Sequence, residues 1–494
     1  MLDILIAGAR LVDGTGNPWY RADVGILDGR IVQCGVVPDR AHQHLDGTGM
    51  VLCPGFIDVH THADRLLERP QADNMLRQGI TTVVSGNCGS SPLPVGDMLD
   101  KVDAARPSIN YATLVGHGSI RQRIMGQADR QPTDREMTDM CRLVEQAMEE
   151  GAVGISTGLF YVPGAYAVVD ELVEVSRPVA AAGGVYATHA RSAGGKIPEA
   201  IEETAEISRR AGIAAEISHL KVLHRQGRTT ADRAAEILGQ IERLRDEGID
   251  LTYDLHPYPA TNTSLSAVAL PPWVSRDGKR DERLRDPAER DRMRPEVEGN
   301  IAWIGGPDRI TIAGFAADAS LEGKTVADAA RLRGTDPADT AMDLVLEGNP
   351  RCIFHALREE DVRLFLTGVF GMVASDGGVV PSPTGVVHPR NYGTFPRILR
   401  EYVRENRWMT LEDAIRRMSW FPASRFRLAG RGLVAPNYAA DLVLLDPDSV
   451  ADQATFDAPH AFPTGIACVI VNGRIAWQAG SDDITRGCGM AIRK

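Results

Sequence analysis

The sequence predicts an α/β fold built on a closed parallel barrel, and three observations carry that prediction. Between Pro54 and about Gly430, apolar runs of strand length alternate with helix-like segments of roughly 15–20 residues, the rhythm of a parallel α/β sheet or barrel. Eight such runs occur, and eight parallel strands close a (β/α)8 barrel of the TIM type. The two ends of the chain have a different texture, with short apolar runs broken by turn signals, so two β-rich ends flank the α/β middle.

Taken in order, the first fifty residues read ILIAGARLV and ADVGILDGRIVQCG, with Asp-Gly pairs at 13–14, 28–29 and 46–47. Such pairs between apolar runs predict hairpins. The eight barrel strands are VLCPGFID (51–58), GITTVVSG (79–86), YATLVG (111–116), AVGIST (152–157), GVYATH (184–189), AAEISH (214–219), IDLTYDL (249–255) and FGMVASD (370–376). Between the seventh and eighth, the stretch from Trp273 to Glu298 is densely charged. It predicts a helical insertion within about 260–330, presenting a solvated face or a lid over the strand ends. Ala440 to Leu445 and Ile466 to Trp477, the latter with an Asn-Gly turn at 472–473, restore strand character at the end of the chain.

Composition excludes several classes of function. With 494 residues, 43% hydrophobic and 24% charged, the chain carries enough apolar content for a large core, which sets disorder and fibrous repeats aside. Its 66 acidic residues outnumber 54 basic ones, and no Lys/Arg-rich run offers a footprint for nucleic acid. The seven cysteines are odd in number and scattered without a CxxC pair, which points to a reducing cytoplasm rather than a disulfide framework. The opening MLDILIAGARLVDG has neither a basic leader nor a long apolar core, and no apolar run suits a membrane span.

In such a barrel, chemistry gathers at the C-terminal ends of the strands. His60 and His62, in GFIDVHTHAD, lie two apart and so point to one side, where both can reach one ion. His189 ends GVYATH, His219 ends AAEISH, and Cys88 follows GITTVVSGN. Singly, each has an ordinary reading, as a backbone-bonded buried histidine or a small buried thiol. Together they place five nitrogen or sulfur donors at equivalent positions of four strands, a set suited to Zn²⁺. Asp376, in VASDGG, ends the eighth strand as an oxygen ligand, a proton acceptor, or both. His117 ends the third strand and faces the mouth by the same register, whereas His224, His355 and His388 receive no role.

These residues resemble the metal-dependent amidohydrolase superfamily, whose barrel is accompanied by a small β-sandwich built from both termini. That resemblance implies a sandwich of residues 1–54 and 430–494 and a hydrolase barrel over 55–429. Many members bridge two metals with a carboxylated lysine on strand four, but AVGISTGLF has no lysine and Cys88 offers the anion instead. This, with PGFIDVHTHAD, GNCG, GHGSIR, GISTGLFY, ISHLKV, ASDGG and HPRNYGTFPR, is similar to the D-aminoacylase (N-acyl-D-amino-acid deacylase) family.

The resemblance implies that Cys88, His189 and His219 hold a tight zinc, that His60, His62 and Asp376 surround a second, weaker or empty position, and that Asp376 is the catalytic base. It also implies that Arg390, Lys221 and Tyr161 bind the substrate carboxylate. His256 stands where the family often has a tyrosine, which bears on side-chain preference. The reaction implied is hydrolysis of a small N-acyl-D-amino acid, with no nucleic acid or membrane partner. The absence of an extra cationic cluster in the sequence leans toward apolar D-amino acids. The alternatives are a cyclic-amide hydrolase of the hydantoinase or dihydroorotase type, disfavoured by the missing lysine, and a non-catalytic assembly protein, disfavoured by the intact donor set. Oligomeric state is not legible in the sequence.

Overall fold

The computed structural model describes residues 1–37, 40–223, 231–382 and 385–494. Its barrel strands are β1 (Phe56–Asp58), β2 (Ile80–Ser85), β3 (Asn110–Thr113, continued by Val115–Gly116), β4 (Gly154–Gly158), β5 (Val185–His189), β6 (Ala214–Ile217), β7 (Leu251–Leu255) and β8 (Gly371–Val373). All neighbours pair in parallel and in chain order. Closure between β8 and β1 is made just past the strands, where Thr61 bridges Gly377 and the Asp376 N–H donates to the His60 carbonyl at 2.9 Å. Asp58 reinforces the seam by accepting the Ser375 N–H at 2.9 Å. Each predicted barrel strand is present, as a TIM-type barrel accompanied by a second, terminal sheet.

The first predicted run is in fact two strands. Val51–Pro54 belongs to the terminal sheet, pairing antiparallel with Leu442–Leu445, and the chain crosses into the barrel at Gly55. A Cβ on Gly55 would lie 2.2 Å from the Thr81 hydroxyl, so only glycine permits the crossing.

The terminal sheet interleaves strands from both ends of the chain in one eight-stranded sheet. Period-2 alternation divides its side chains between two cores. Leu442 and Leu444 join Ile6, Val24 and Leu52 in the sheet's own cluster, while Val443 and Leu445 pack with Phe56 and Val83 of the barrel. Asp28-Gly29 and Asn472-Gly473 make the predicted tight hairpins, with positive φ at all four residues. Asp46-Gly47 does not, because the strands on either side of it both run parallel to Leu2–Leu11.

Between β7 and β8 the chain builds a small unit with its own apolar core, from Leu265 to Phe354. Its antiparallel sheet has Arg351–Phe354 between Thr261–Ser264 and Ile310–Gly314. The charged stretch forms helices Arg280–Arg285 and Pro287–Ile304. The unit runs past the predicted limit near 330 because its central strand is the last of the three in sequence. No helix among the described residues is long and apolar enough to cross a membrane.

Candidate metal centre and active site

The C-terminal ends of the strands converge on one rim. His60 and His62 follow β1, Cys88 follows β2, His189 closes β5, His219 follows β6 and Asp376 follows β8. Cys88, His219 and Asp376 have left-handed backbones, with φ of 53°, 38° and 49°. A side chain in that region costs about 1–3 kcal/mol, a strain held only where the surroundings over-determine it. Around Cys88 the cause is close packing: a Cβ on Gly158 of β4 would meet the Cys88 carbonyl at 2.2 Å.

The Cys88 Sγ lies 3.5 Å from His60 Nε2, His189 Nδ1 and His219 Nε2. Burial alone would raise the thiol pKa, but the charges of His60 and His219 and the contact with His189 outweigh it and hold the group well below its ordinary value. That environment favours the thiolate. Burial, helped by neighbouring His219, lowers the His189 pKa to about 3, so its ring stays neutral.

Asp376 Oδ1 stands 3.3 Å from His62 Nε2 and 3.7 Å from His60 Nε2. The donor atoms of His60, Cys88 and His219 lie within 4.8 Å of one another, and so do those of His60, His62 and Asp376. His60 thus sits at the junction of two groups, and His189 enters through Cys88. Behind His60, Asp254 Oδ2 is 3.5 Å from His60 Nδ1, which orients that imidazole, and the other Asp254 oxygen accepts the His219 backbone N–H at 2.9 Å, which fixes the chain that carries the second ring. One thiolate, four imidazoles and a carboxylate form a mixed set that fits a borderline-soft divalent metal such as zinc.

Burial would raise the Asp376 pKa, but the Arg390 guanidinium, donating at 2.8 Å, and the contact with His62 hold the carboxyl well below the usual range. Burial works against a charged His62, yet its bond to Asp376 and the nearby Cys88 raise its pKa to about 9. Lys221 Nζ lies 2.7 Å from His219 Nδ1, and burial lowers its pKa to about 8. The Tyr161 hydroxyl meets Thr263 Oγ1 of the inserted unit at 3.2 Å.

A cavity of about 1010 Å³ opens over this rim, with Cys88, His189, His219, Lys221, Tyr161 and Asp376 in its wall. The inserted unit supplies the opposite wall, including Thr263, Val268, Trp303 and Arg351. Arg390 and His60 stand one layer behind the surface. So does His256, which is 3% exposed and has its ring 5.7 Å from that of His388. Burial, then the charge of Arg390, pushes its pKa well below the ordinary value, which favours the neutral imidazole.

His117 departs from expectation. It starts the helix His117–Met125 instead of facing the mouth, and its Nε2 meets Glu171 Oε1 at 2.8 Å in the core. Glu171 also binds the fully buried Arg121. Glu171→Ala leaves the buried Arg121 guanidinium without a counter-charge and His117 without its partner, and is expected to cost about 3–5 kcal/mol, read as a lower midpoint in urea unfolding. An unchanged midpoint would show the triad to be without weight in stability.

His388 accepts the Arg390 N–H and faces the Ala260 carbonyl, His355 packs on Phe456, and His224 lies outside the described residues. Sequence reasoning gave no role to Asp254 or Arg351. Asp254 carried a usable signal, since it lies near the end of β7 just as the donors end their strands. Arg351 carried none, being almost a hundred residues past β7 with no motif around it.

The sequence pattern of the amidohydrolase family matches residues 43–290 and 297–476. The D-aminoacylase of Alcaligenes xylosoxydans xylosoxydans is 37% identical over 502 residues, spanning 96% of this chain and 94% of its own. The N-acyl-D-aspartate deacylase of the same organism is 35% identical, over 96% of this chain and 92% of its own. The crystal structure of N-acyl-D-glutamate deacylase from Bordetella bronchiseptica, complexed with zinc and a phosphonate mimic of the tetrahedral intermediate, is 35% identical, with a TM-score of 0.87 over the whole of both chains. Matched almost end to end by relatives that share more than a third of its residues, and sharing their fold throughout, the chain belongs to the D-aminoacylase branch of the amidohydrolase family.

Proposed function

We propose that this protein hydrolyses the amide bond of N-acyl-D-amino acids, releasing a carboxylate and a free D-amino acid. The observation that carries the proposal is the meeting of the Cys88 thiolate with three imidazole nitrogens at 3.5 Å beside an ionised Asp376. Cys88, His189 and His219 would hold the tight zinc, and His60, His62 and Asp376 a second, weaker position. Bound there, zinc supplies a Lewis acid that polarises the amide carbonyl and eases deprotonation of water.

The chain's own groups do the rest. Asp376 takes a proton from the water whose oxygen forms the new bond to the carbonyl carbon. The same carboxylic acid then gives that proton to the amide nitrogen as the C–N bond breaks, since an amide anion is too basic to depart alone. Its low pKa keeps it ready to accept the first proton. Arg390, Lys221 and Tyr161, backed by His256 one layer behind the cavity surface, form the group that fixes the substrate's α-carboxylate, and so presents one hand of the stereocentre to the base. Arg390 and Lys221 rest on Asp376 and His219, so an incoming carboxylate competes for cations already at the reacting end. β4 carries no lysine, as a cyclic-amide hydrolase bridged by carboxylated lysine would require.

The test is a panel of N-acetyl and longer N-acyl D- and L-amino acids offered to zinc-loaded protein, with released amine as readout. D-isomers should react at least about 100-fold faster than their L counterparts, because a misplaced scissile bond costs that much. Equal rates for both hands, or none for either, would refute the proposal.

A further inference from the structure

The chain as a whole is acidic, with 66 acidic against 54 basic residues. Its cavity reverses that balance. Arg123, Arg191, Lys196, Lys221 and Arg351 reach the wall, and Asp376 is the only carboxylate there among the described residues. The cationic cluster absent from the sequence is assembled by the fold, from loops far apart in the chain. A positive cavity in a negative protein draws in anions and concentrates them at the site.

These cations are not equivalent. Arg191 is committed to Glu203 and to the carbonyls of Ala165 and Ala167, and Lys221 rests on His219. Arg123 and Lys196 stand on the barrel side, on the helix His117–Met125 and before the helix Ile197–Ala211. Arg351 opens the central strand of the inserted unit, in register with Ser264 and next to the position of Thr263, whose hydroxyl meets Tyr161. Its side chain has no hydrogen bond or ion pair among the described residues. Its charge is nonetheless felt at the site: burial raises the Tyr161 pKa while Arg351 opposes the rise, and Arg351 adds to the effect of burial in lowering the pKa of Arg390.

One carboxylate does not require this many cations. Arg390, Lys221 and Tyr161 suffice for the α-carboxylate, and a further guanidinium in the wall of the same cavity, without a side-chain partner among the described residues, is suited to a second anionic group. We propose that Arg351 receives a second carboxylate of the substrate, which extends the deacylase reading and rests on it. That carboxylate belongs either to an acidic D-amino-acid side chain or to a dicarboxylic acyl group, and a planar guanidinium binds both in the same bidentate way.

The experiment compares kcat/KM for two matched pairs, N-acetyl-D-glutamate against N-acetyl-D-glutamine and N-succinyl-D-leucine against N-acetyl-D-leucine, in zinc-loaded wild type and Arg351→Gln. The wild type should favour the acidic member of one pair by roughly 10–100-fold, the range for a hydrogen bond to a charged group. In Arg351→Gln that ratio should fall to about twofold or less. Preference within the glutamate pair assigns the carboxylate to the side chain, and preference within the succinyl pair assigns it to the acyl group. No preference in either pair, or a ratio unaltered by the substitution, overturns the proposal. If no D-substrate is cleaved, the deacylase reading fails separately. Calorimetric titration of the same four compounds then decides the role of Arg351 by the same ratios.

Discussion

Replacing Asp376 with asparagine is expected to lower kcat by about 10²–10⁴-fold, the usual contribution of a positioned acid-base group. The amide is nearly isosteric but cannot take a proton from water or return one to the leaving nitrogen. Zinc at Cys88, His189 and His219 should be retained, so metal analysis separates this loss from a loss of metal. The substitution also strips the 3% exposed Arg390 of its partner, which should appear as lower stability in urea. The pH dependence of that partnership has a defined sign. The Asp376 pKa is depressed in the folded protein, so the stability it contributes is fully present above its unfolded value of about 3.9 and lost as pH falls below that. Turnover within twofold of wild type would remove Asp376 from its role as base.

Cys88→Ala should act on the metal first. The thiolate is the charged donor nearest three imidazoles, and its loss removes both a ligand atom and the negative charge that helps raise the His60 pKa. Outer-shell substitutions at metal sites typically cost 10–100-fold in affinity, so removal of a direct donor should cost more than about 100-fold. Zinc content after dialysis and competition with a chelator measure this directly, before any assay of turnover. Full occupancy after dialysis would contradict the ligand set.

Much of this arrangement is legible in the chain. The eight barrel strands announce themselves through apolar runs of the right length, and the donors declare themselves by standing at the ends of those runs. His60 and His62 are the clearest case, since spacing alone places them on one side. The limits are equally physical. VLCPGFID reads as one run because hydrophobicity does not say which sheet a strand joins, whereas the Gly55 crossing divides it. His117 and His189 both terminate apolar runs, yet only His189 faces the cavity, because the helix begun at His117 turns its ring toward Glu171 in the core. Asp46-Gly47 has hairpin chemistry, but its flanking strands are held parallel by a third.

Local properties of the chain, hydrophobic period, run length and turn residues, were enough to determine the class of fold, the order of its strands and the donor-bearing positions at their ends. What the tertiary structure alone decided is which of these groups meet and what faces them. Strand order and register bring Cys88 within 3.5 Å of His219, more than a hundred residues away, and swing Arg351 across from Tyr161. Contacts of that kind are set by the closure of the barrel and the packing of the inserted unit against it, which no short stretch of sequence encodes.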